Sequence, residues 1–407
     1  MKQIIGGAAA ARGFEAASAA AGIKYSGRDD MALIYSEVPC KAAGTFTSNI
    51  VKAAPVKWDH AIVEKYGVAQ AIVINSGIAN ACTGEEGMKI CKETAEAASK
   101  ALSVKPESVL VASTGVIGAQ IPMNRVKAGV KLLAADKKHT EAAGNKAAKA
   151  IMTTDTIEKE IAFEFTLSGK ACVIGGMCKG SGMIHPNMCT MLAFITTDAA
   201  ISEELLKKAL KDDIQDTFNM VSVDGDTSTN DTALLLANGL AGNPEITEEG
   251  ADYQIFCKAL KAVNTYLAKK MAGDGEGATA LLEIKIINAV DKRQAVTIAK
   301  SVVSSSLVKT AIAGHDANWG RILCAMGYSG AEFDPEKVDL FFESAAGRIQ
   351  IMLNGVAADY SEKEATRILS ESAITVTADI KMGCAEAVAW GCDLTHEYIN
   401  INADYRS

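Results

Sequence analysis

Two stretches alternate with the period of two that marks a half-buried strand. Glu160–Leu167 (EIAFEFTL) alternates, turns at Ser168-Gly169 and returns over Lys170–Ile174, which predicts a hairpin. Ala373–Ile380 (AITVTADI) alternates in the same way. Ala71–Ile74 (AIVI), Ser108–Ala112 (SVLVA), Thr190–Thr196 (TMLAFIT) and Leu281–Ile287 predict further strands. Gly87–Leu102, Ala142–Met152, Glu203–Leu210 and Ala251–Met271 predict helices. Strands and helices interleave, and hairpins are present. That order predicts an α+β fold in layers rather than a doubly wound parallel sheet. No internal repeat, low-complexity linker or Pro-rich boundary interrupts the chain.

Composition narrows the class. The chain has 407 residues, 49% hydrophobic and 22% charged, as a globular protein with a large core requires. With 41 Lys+Arg against 49 Asp+Glu, the net charge is −8. The basic residues form only dipeptides such as Lys137-Lys138 and Lys207-Lys208, so the stripe of a nucleic-acid binder is missing. No apolar run approaches the roughly 20 residues of a membrane span. Ile4–Ala11 faintly resembles a signal peptide but runs into Arg12 and Glu15, so a retained, cytoplasmic N-terminus is expected. The 10 Cys form no CxxC pair and sit mostly in apolar runs, which predicts buried thiols rather than a metal site.

Several motifs can be set aside. Gly273-Asp274-Gly275-Glu276-Gly277 follows a helix, not the strand of a dinucleotide fingerprint. Gly327-Tyr328-Ser329-Gly330 misses the nucleophile elbow by one position. The run around Asp224 and Asp226 lacks the glycine and terminal glutamate of a calcium loop.

The chemistry lies in Lys179–Leu192, a glycine-rich polar loop leading into an apolar strand that opens with Thr190. By composition alone, the simpler reading is a β-branched residue starting a strand. A second reading exists. A hydroxyl is a weak nucleophile and needs a base beside it. A Thr that becomes a chain terminus carries that base in its own α-amino group, with a pKa of ~7.7–8.0. To make such a terminus, Thr190 Oγ1 must attack the Cys189 carbonyl and turn the peptide into an ester that water cleaves.

The segment Lys179–Ala199 resembles the ornithine acetyltransferase family. So do Ala21–Arg28, Asn75–Gly84, Ser113–Gly118, Met152–Asp155, Ser222–Asp231 and Gly314–Arg321, in order along nearly the whole chain. The resemblance implies a layered αββα-type sandwich, cut between Cys189 and Thr190 into an α chain of 189 residues and a β chain of 407 − 189 = 218. Where family members usually have Ala before the Thr, this chain has Cys189, also small. The implied assembly is a cytoplasmic α2β2 heterotetramer without metal or cofactor.

The same resemblance assigns roles. Thr190 is the nucleophile, and Thr114 and Gly115 form the oxyanion hole. The substrate residues are Thr153, Lys179, Thr190, Glu276, Asn402 and Ser407. Lys179 suits the α-carboxylate of N2-acetyl-L-ornithine and Glu276 its distal ammonium, while the tail closes over the pocket. Each also has a plainer reading: a turn after a strand for Thr114-Gly115, a solvated Lys179, a surface Glu276 and a frayed tail. The acceptor, L-glutamate, carries a carboxylate where Glu276 stands, which calls for a bridging water or a nearby cation. Asn75, Asn80, Asp224, Asp226, Asp231, His315 and Asn318 read as loop-holding hydrogen bonders. His185 is a weaker candidate for assisting self-cleavage.

The leading expectation is a glutamate N-acetyltransferase of arginine biosynthesis, working by ping-pong through acetyl-Thr190. Some family members also accept acetyl-CoA and some do not, and this chain has no nucleotide signature that decides. The alternatives are a self-processed amidohydrolase or aminopeptidase, and a binding protein that never cuts itself.

Overall fold

The computed structural model describes residues 1–185 and 191–404. They form two compact units. The first comprises 1–180, 191–219 and 227–267; the second comprises 181–185, 220–226 and 268–404.

A mixed sheet of nine described strands organises the first unit. Its order is Lys2–Ile4, Lys159–Leu167, Lys170–Lys179, Leu192–Thr197, Thr232–Ala237, Met31–Phe46, Val68–Asn75 and Val109–Ser113, with Phe14–Ala19 paired to Met31–Phe46. Leu192–Thr197 runs parallel to Thr232–Ala237, and Val68–Asn75 parallel to Val109–Ser113. The other pairings are antiparallel. The expected hairpin is present, pairing Lys159–Leu167 with Lys170–Lys179.

Both faces of this sheet are covered, which is why its central strands read as unbroken apolar runs. Ile34, Ile72, Ile74 and Leu110 enter one core cluster, with Ala143, Ala147 and Ala148 of the Glu141–Ala150 helix. Their neighbours Leu33, Ala71, Val73 and Val109 enter another, with Ile90, Ala95 and Ala98 of Gly84–Leu102 and Val126 and Val130 of Met123–Asp136. Alanine on these helices lets backbone approach backbone. Thr140 caps Glu141–Ala150 by accepting the Ala143 N–H at 3.2 Å.

The second unit holds a seven-stranded mixed sheet of described strands. Its order is Val356–Ala357, Gly347–Leu353, Asp339–Ser344, Ala373–Asp379, Leu281–Ala289, Ala385–Cys392 and Val221–Ser222. Here Leu282, Ile284 and Ile286 are buried, whereas Leu281, Glu283 and Lys285 are only partly covered. The helix Lys292–Val303 packs on Leu281–Ala289 and Ala385–Cys392 through a face of Ala295, Ile298, Ala299 and Val302. The architecture is thus mixed α/β with two sheets. Among the described residues no single helix is long and apolar enough to cross a membrane.

Candidate active site

Thr114 and Gly115 follow the Val109–Ser113 strand, and backbone pairing fixes their turn. Thr114 N–H donates to the Asn75 carbonyl at 3.0 Å, and Val116 N–H to the Gly77 carbonyl at 3.0 Å. Gly115 has φ +129°, and a Cβ there would collide with the Gly77 carbonyl and lie 2.6 Å from Ile78 N. Only glycine lets the two turns pass so closely. Thr114 has therefore spent its N–H and can offer an oxyanion only its hydroxyl. Gly115 N–H has no acceptor among the described residues.

Buried amides brace that turn. Asn75 Nδ2 donates to Ile78 O at 2.9 Å, and Ser113 Oγ donates to Asn75 Oδ1 at 2.7 Å. Asn230 Nδ2 reaches Ala79 O at 2.6 Å and Ser113 O at 2.8 Å. Asn80 donates to Gly87 O at 3.1 Å and accepts from Thr83 at 2.7 Å. The loop-holding reading of Asn75 and Asn80 agrees with these bonds.

Lys179 ends the Lys170–Lys179 strand and is only 7% exposed, not solvated. Its Nζ lies 3.8 Å from Asp155 Oδ2. The same carboxylate takes Lys159 Nζ at 2.7 Å, Gly180 N–H at 2.7 Å and Thr153 N–H at 3.1 Å. Burial would raise the Asp155 pKa. The charges of Lys179 and Lys159, with the bonds from Lys159 and Gly180, overcome it and hold the carboxyl well below its usual range. One anion thus serves two buried cations. Sequence reasoning passed over Asp155 and Lys159 as functional residues. Their sequence signals were weak: Asp155 ends the family-like segment Met152–Asp155, and Lys159 stands just before the alternating run Glu160–Leu167.

In the second unit, Glu276 is 6% exposed. Its N–H donates to Ser181 O at 2.9 Å, and Ser181 Oγ donates to Asp274 O at 2.7 Å. A Cβ at Gly182 would overlap the Glu276 carboxylate, so Gly182 makes room for that charge. Asn402, on the His396–Ala403 helix, donates to Glu276 Oε2 at 2.7 Å. Thr395 Oγ1 donates to Gly277 O at 2.7 Å, and a Cβ on Gly277 would sit 2.7 Å from Tyr398 N. The tail helix is thus fastened to the GDGEG loop, and Glu276 is not a surface residue.

Asp224 accepts N–H bonds from Met183 at 2.6 Å and Ile184 at 2.9 Å, and the Tyr398 hydroxyl at 3.2 Å. Asp226 donates its N–H to Asp224 at 3.2 Å. Asn318 caps Trp319–Gly327, and His315 sits in a positive-φ turn. His185 Nδ1 lies 3.0 Å from Ser222 Oγ, and burial, then the Lys300 charge, lowers its pKa. Among the described residues no His/Cys/Asp/Glu cluster could hold a metal. Cys189, Thr190 and Ser407 lie outside the described residues. Thr114, Gly115, Thr153 and Lys179 belong to the first unit, and Glu276 and Asn402 to the second.

Comparison with known proteins places this geometry. The ArgJ family pattern matches residues 15–407. The arginine biosynthesis bifunctional protein ArgJ of Thermotoga neapolitana is 52% identical over 404 residues, covering 97% of this chain and 99% of that protein. The protein of the same name from Symbiobacterium thermophilum is 51% identical over 409 residues, covering 100% of both. The crystal structure of ArgJ from Bacillus halodurans shares 45% identity with a TM-score of 0.51, covering 53% of this chain and 99% of that one. These likenesses define an acyltransferase of amino-acid biosynthesis. More narrowly, the chain belongs to the ArgJ family and is a glutamate N-acetyltransferase of arginine biosynthesis.

Proposed function

We propose that the enzyme cuts itself between Cys189 and Thr190 and moves acetyl from N2-acetyl-L-ornithine to L-glutamate through an ester on Thr190. The reading rests most on Lys179, a buried cation whose Nζ lies 3.8 Å from Asp155 Oδ2 and whose charge suits a substrate carboxylate. The solved Bacillus halodurans chain adds support. It is itself matched over 99% yet spans 53% of this chain, or 0.53 × 407, about 216 residues. A β chain of residues 190–407 would have 218.

Thr190 Oγ1 attacks the acetyl carbonyl while its α-amine takes the hydroxyl proton. The Gly115 N–H and the Thr114 hydroxyl serve the developing oxyanion. The C–N bond then breaks, the proton passes to the departing nitrogen, and ornithine leaves. The amine of glutamate attacks the ester and restores the free hydroxyl. Lys179 meets the α-carboxylate and Thr153 adds a hydrogen bond. Glu276, held by Asn402, suits the distal ammonium of ornithine, and Ser407 belongs to the same substrate set. The enzyme has no need of metal or cofactor in this scheme. It works in the cytoplasm as α2β2, its two sheets layered in an αββα sandwich.

Acetylornithine mixed with labelled glutamate should yield labelled N-acetylglutamate and ornithine in equal amounts. Acetate without acetylglutamate would make the protein an amidohydrolase instead. Relatives are named bifunctional, and acetyl-CoA is the second donor this scheme admits. With acetyl-CoA as sole donor, acetylglutamate formation marks the bifunctional kind, and its absence the monofunctional one.

A further inference from the structure

Residues 181–185 belong to the second unit, although residues 1–180 belong to the first. Hydrogen bonds lace this short segment into its surroundings. Ser181 Oγ donates to the Asp274 carbonyl at 2.7 Å, and the Ser181 carbonyl accepts Glu276 N–H at 2.9 Å. The Asp224 carboxylate accepts N–H bonds from Met183 and Ile184, and Val223 N–H donates to the Ile184 carbonyl at 2.7 Å. Ser181 and Ile184 are buried. All the partners of the segment in these bonds lie after residue 190 in the chain. A cut between 189 and 190 leaves the segment on one product and these partners on the other.

Gly182 stands within that segment and faces the end of the Glu276 side chain. A Cβ on Gly182 would overlap Glu276 Cδ and both carboxylate oxygens. Its φ lies outside the left-handed region, so the backbone alone would accept another residue there. What the position demands is the space that a side chain would take from the carboxylate. That carboxylate is buried and takes Asn402 Nδ2 at 2.7 Å. The bond from Glu276 N–H to Ser181 ties the two segments together, so they do not draw apart to admit a methyl group. The atoms it would strike are the tip of a flexible side chain, so the carboxylate swings away and the backbone stays.

We infer that Gly182 is a positioning residue that sets donor specificity: by carrying no side chain, it holds open the place from which the Glu276 carboxylate meets a distal ammonium. The inference rests on the role proposed above for Glu276. A charged hydrogen bond keeps its value only within a reach of about 2.7–2.9 Å. A carboxylate displaced by a methyl group loses that reach, whereas the acetyl transfer does not pass through it. A donor with an uncharged side chain of the same length never makes the bond and does not register its loss. Donor choice is then set by a residue of the N-terminal product lying against the C-terminal one.

The test compares two donors, N2-acetyl-L-ornithine and N-acetyl-L-norvaline, which has the same carbon chain without the distal amine. The readout is the ratio of their kcat/KM values for acetylglutamate formation, with cutting of each full-length variant followed by denaturing mass spectrometry. Wild type should favour acetylornithine by roughly 10- to 100-fold, the worth of one hydrogen bond between charged groups. Glu276→Gln should bring the ratio toward parity. If it keeps the wild-type ratio, or if wild type shows no preference, the reading of Glu276 fails first. Gly182→Ala should shrink the ratio by about 10-fold, through a fall with acetylornithine. Gly182→Ala/Glu276→Asp, whose shorter acid clears the added methyl group, should regain part of the preference. Loss of preference in Glu276→Gln with a wild-type ratio in Gly182→Ala would overturn the inference alone. So would an equal fall with both donors in Gly182→Ala, an uncut chain included, because that marks a structural role. A double variant no more selective than Gly182→Ala would overturn it as well.

Discussion

Gly115 carries two demands at once, a φ of +129° and clearance from the Gly77 carbonyl. Gly115→Ala should cost about 1–3 kcal/mol in backbone strain alone. It should also displace the N–H proposed to face the oxyanion, lowering kcat by ~10²–10³. A thermal melt paired with the acetylglutamate assay reads both effects. Lys179→Met leaves Asp155 its partner Lys159, so folding should persist. The substrate carboxylate loses a charged donor worth about 1.5–3 kcal/mol, a fall of roughly 10- to 100-fold in kcat/KM for acetylornithine. Steady-state kinetics against a matched melting curve separates that loss from unfolding. At this scale the candidate residues were legible through family resemblance rather than chemistry. Lys179 beside glycines reads equally as a solvated charge. Its burial arises from Asp155 and Lys159, neighbours that only folding supplies.

Among the elements, the helix Glu203–Asp216 carries a titratable weak point. Asp213 accepts Asn264 Nδ2 at 2.6 Å from the Ala251–Gly273 helix. Burial pushes its carboxyl up to about 6, against hydrogen bonds from Asn264 and Thr217 and the charge of Lys261. The folded state therefore keeps a proton that the unfolded chain releases near pH 4. Stability from this group is greatest below pH 4 and falls as pH rises through 6, by about 3 kcal/mol in all. Asp213→Asn mimics the protonated form. It should raise the melting temperature at pH 8 and leave it nearly unchanged at pH 4. An equal shift at both pH values would refute the assignment. Other elements explain what sequence patterns reveal. The Lys159–Leu167 strand and the Ala251–Gly273 helix stand near their expected bounds, because one periodicity runs through each, whereas the returning strand, expected over Lys170–Ile174, runs on through Gly175-Gly176 to Lys179. Met31–Phe46 escaped notice. Its pairing with Val68–Asn75 shifts register between Tyr35 and Cys40, around Pro39, which has no N–H to give a ladder. Thr232–Ala237 was hidden behind the polar run that precedes it.

For the whole molecule, the proposed cut falls in sequence between two strands of one sheet. Lys170–Lys179 pairs with Leu192–Thr197, and Thr232–Ala237 pairs with Met31–Phe46, so strands from after the cut are flanked on both sides by strands from before it. The two products share a hydrogen-bonded ladder and a core. They should stay together through native chromatography and part only in denaturant, with light scattering giving a mass of twice 42.6 kDa for α2β2. Halves that separate without denaturant would contradict this sheet order. The account depends most on Thr190 becoming a chain terminus. N-terminal sequencing of enzyme that converts acetylornithine and glutamate tests that directly. Two sequences are predicted, Met-Lys-Gln-Ile and Thr-Met-Leu-Ala. Met-Lys-Gln-Ile alone, from a preparation still making acetylglutamate, would contradict it.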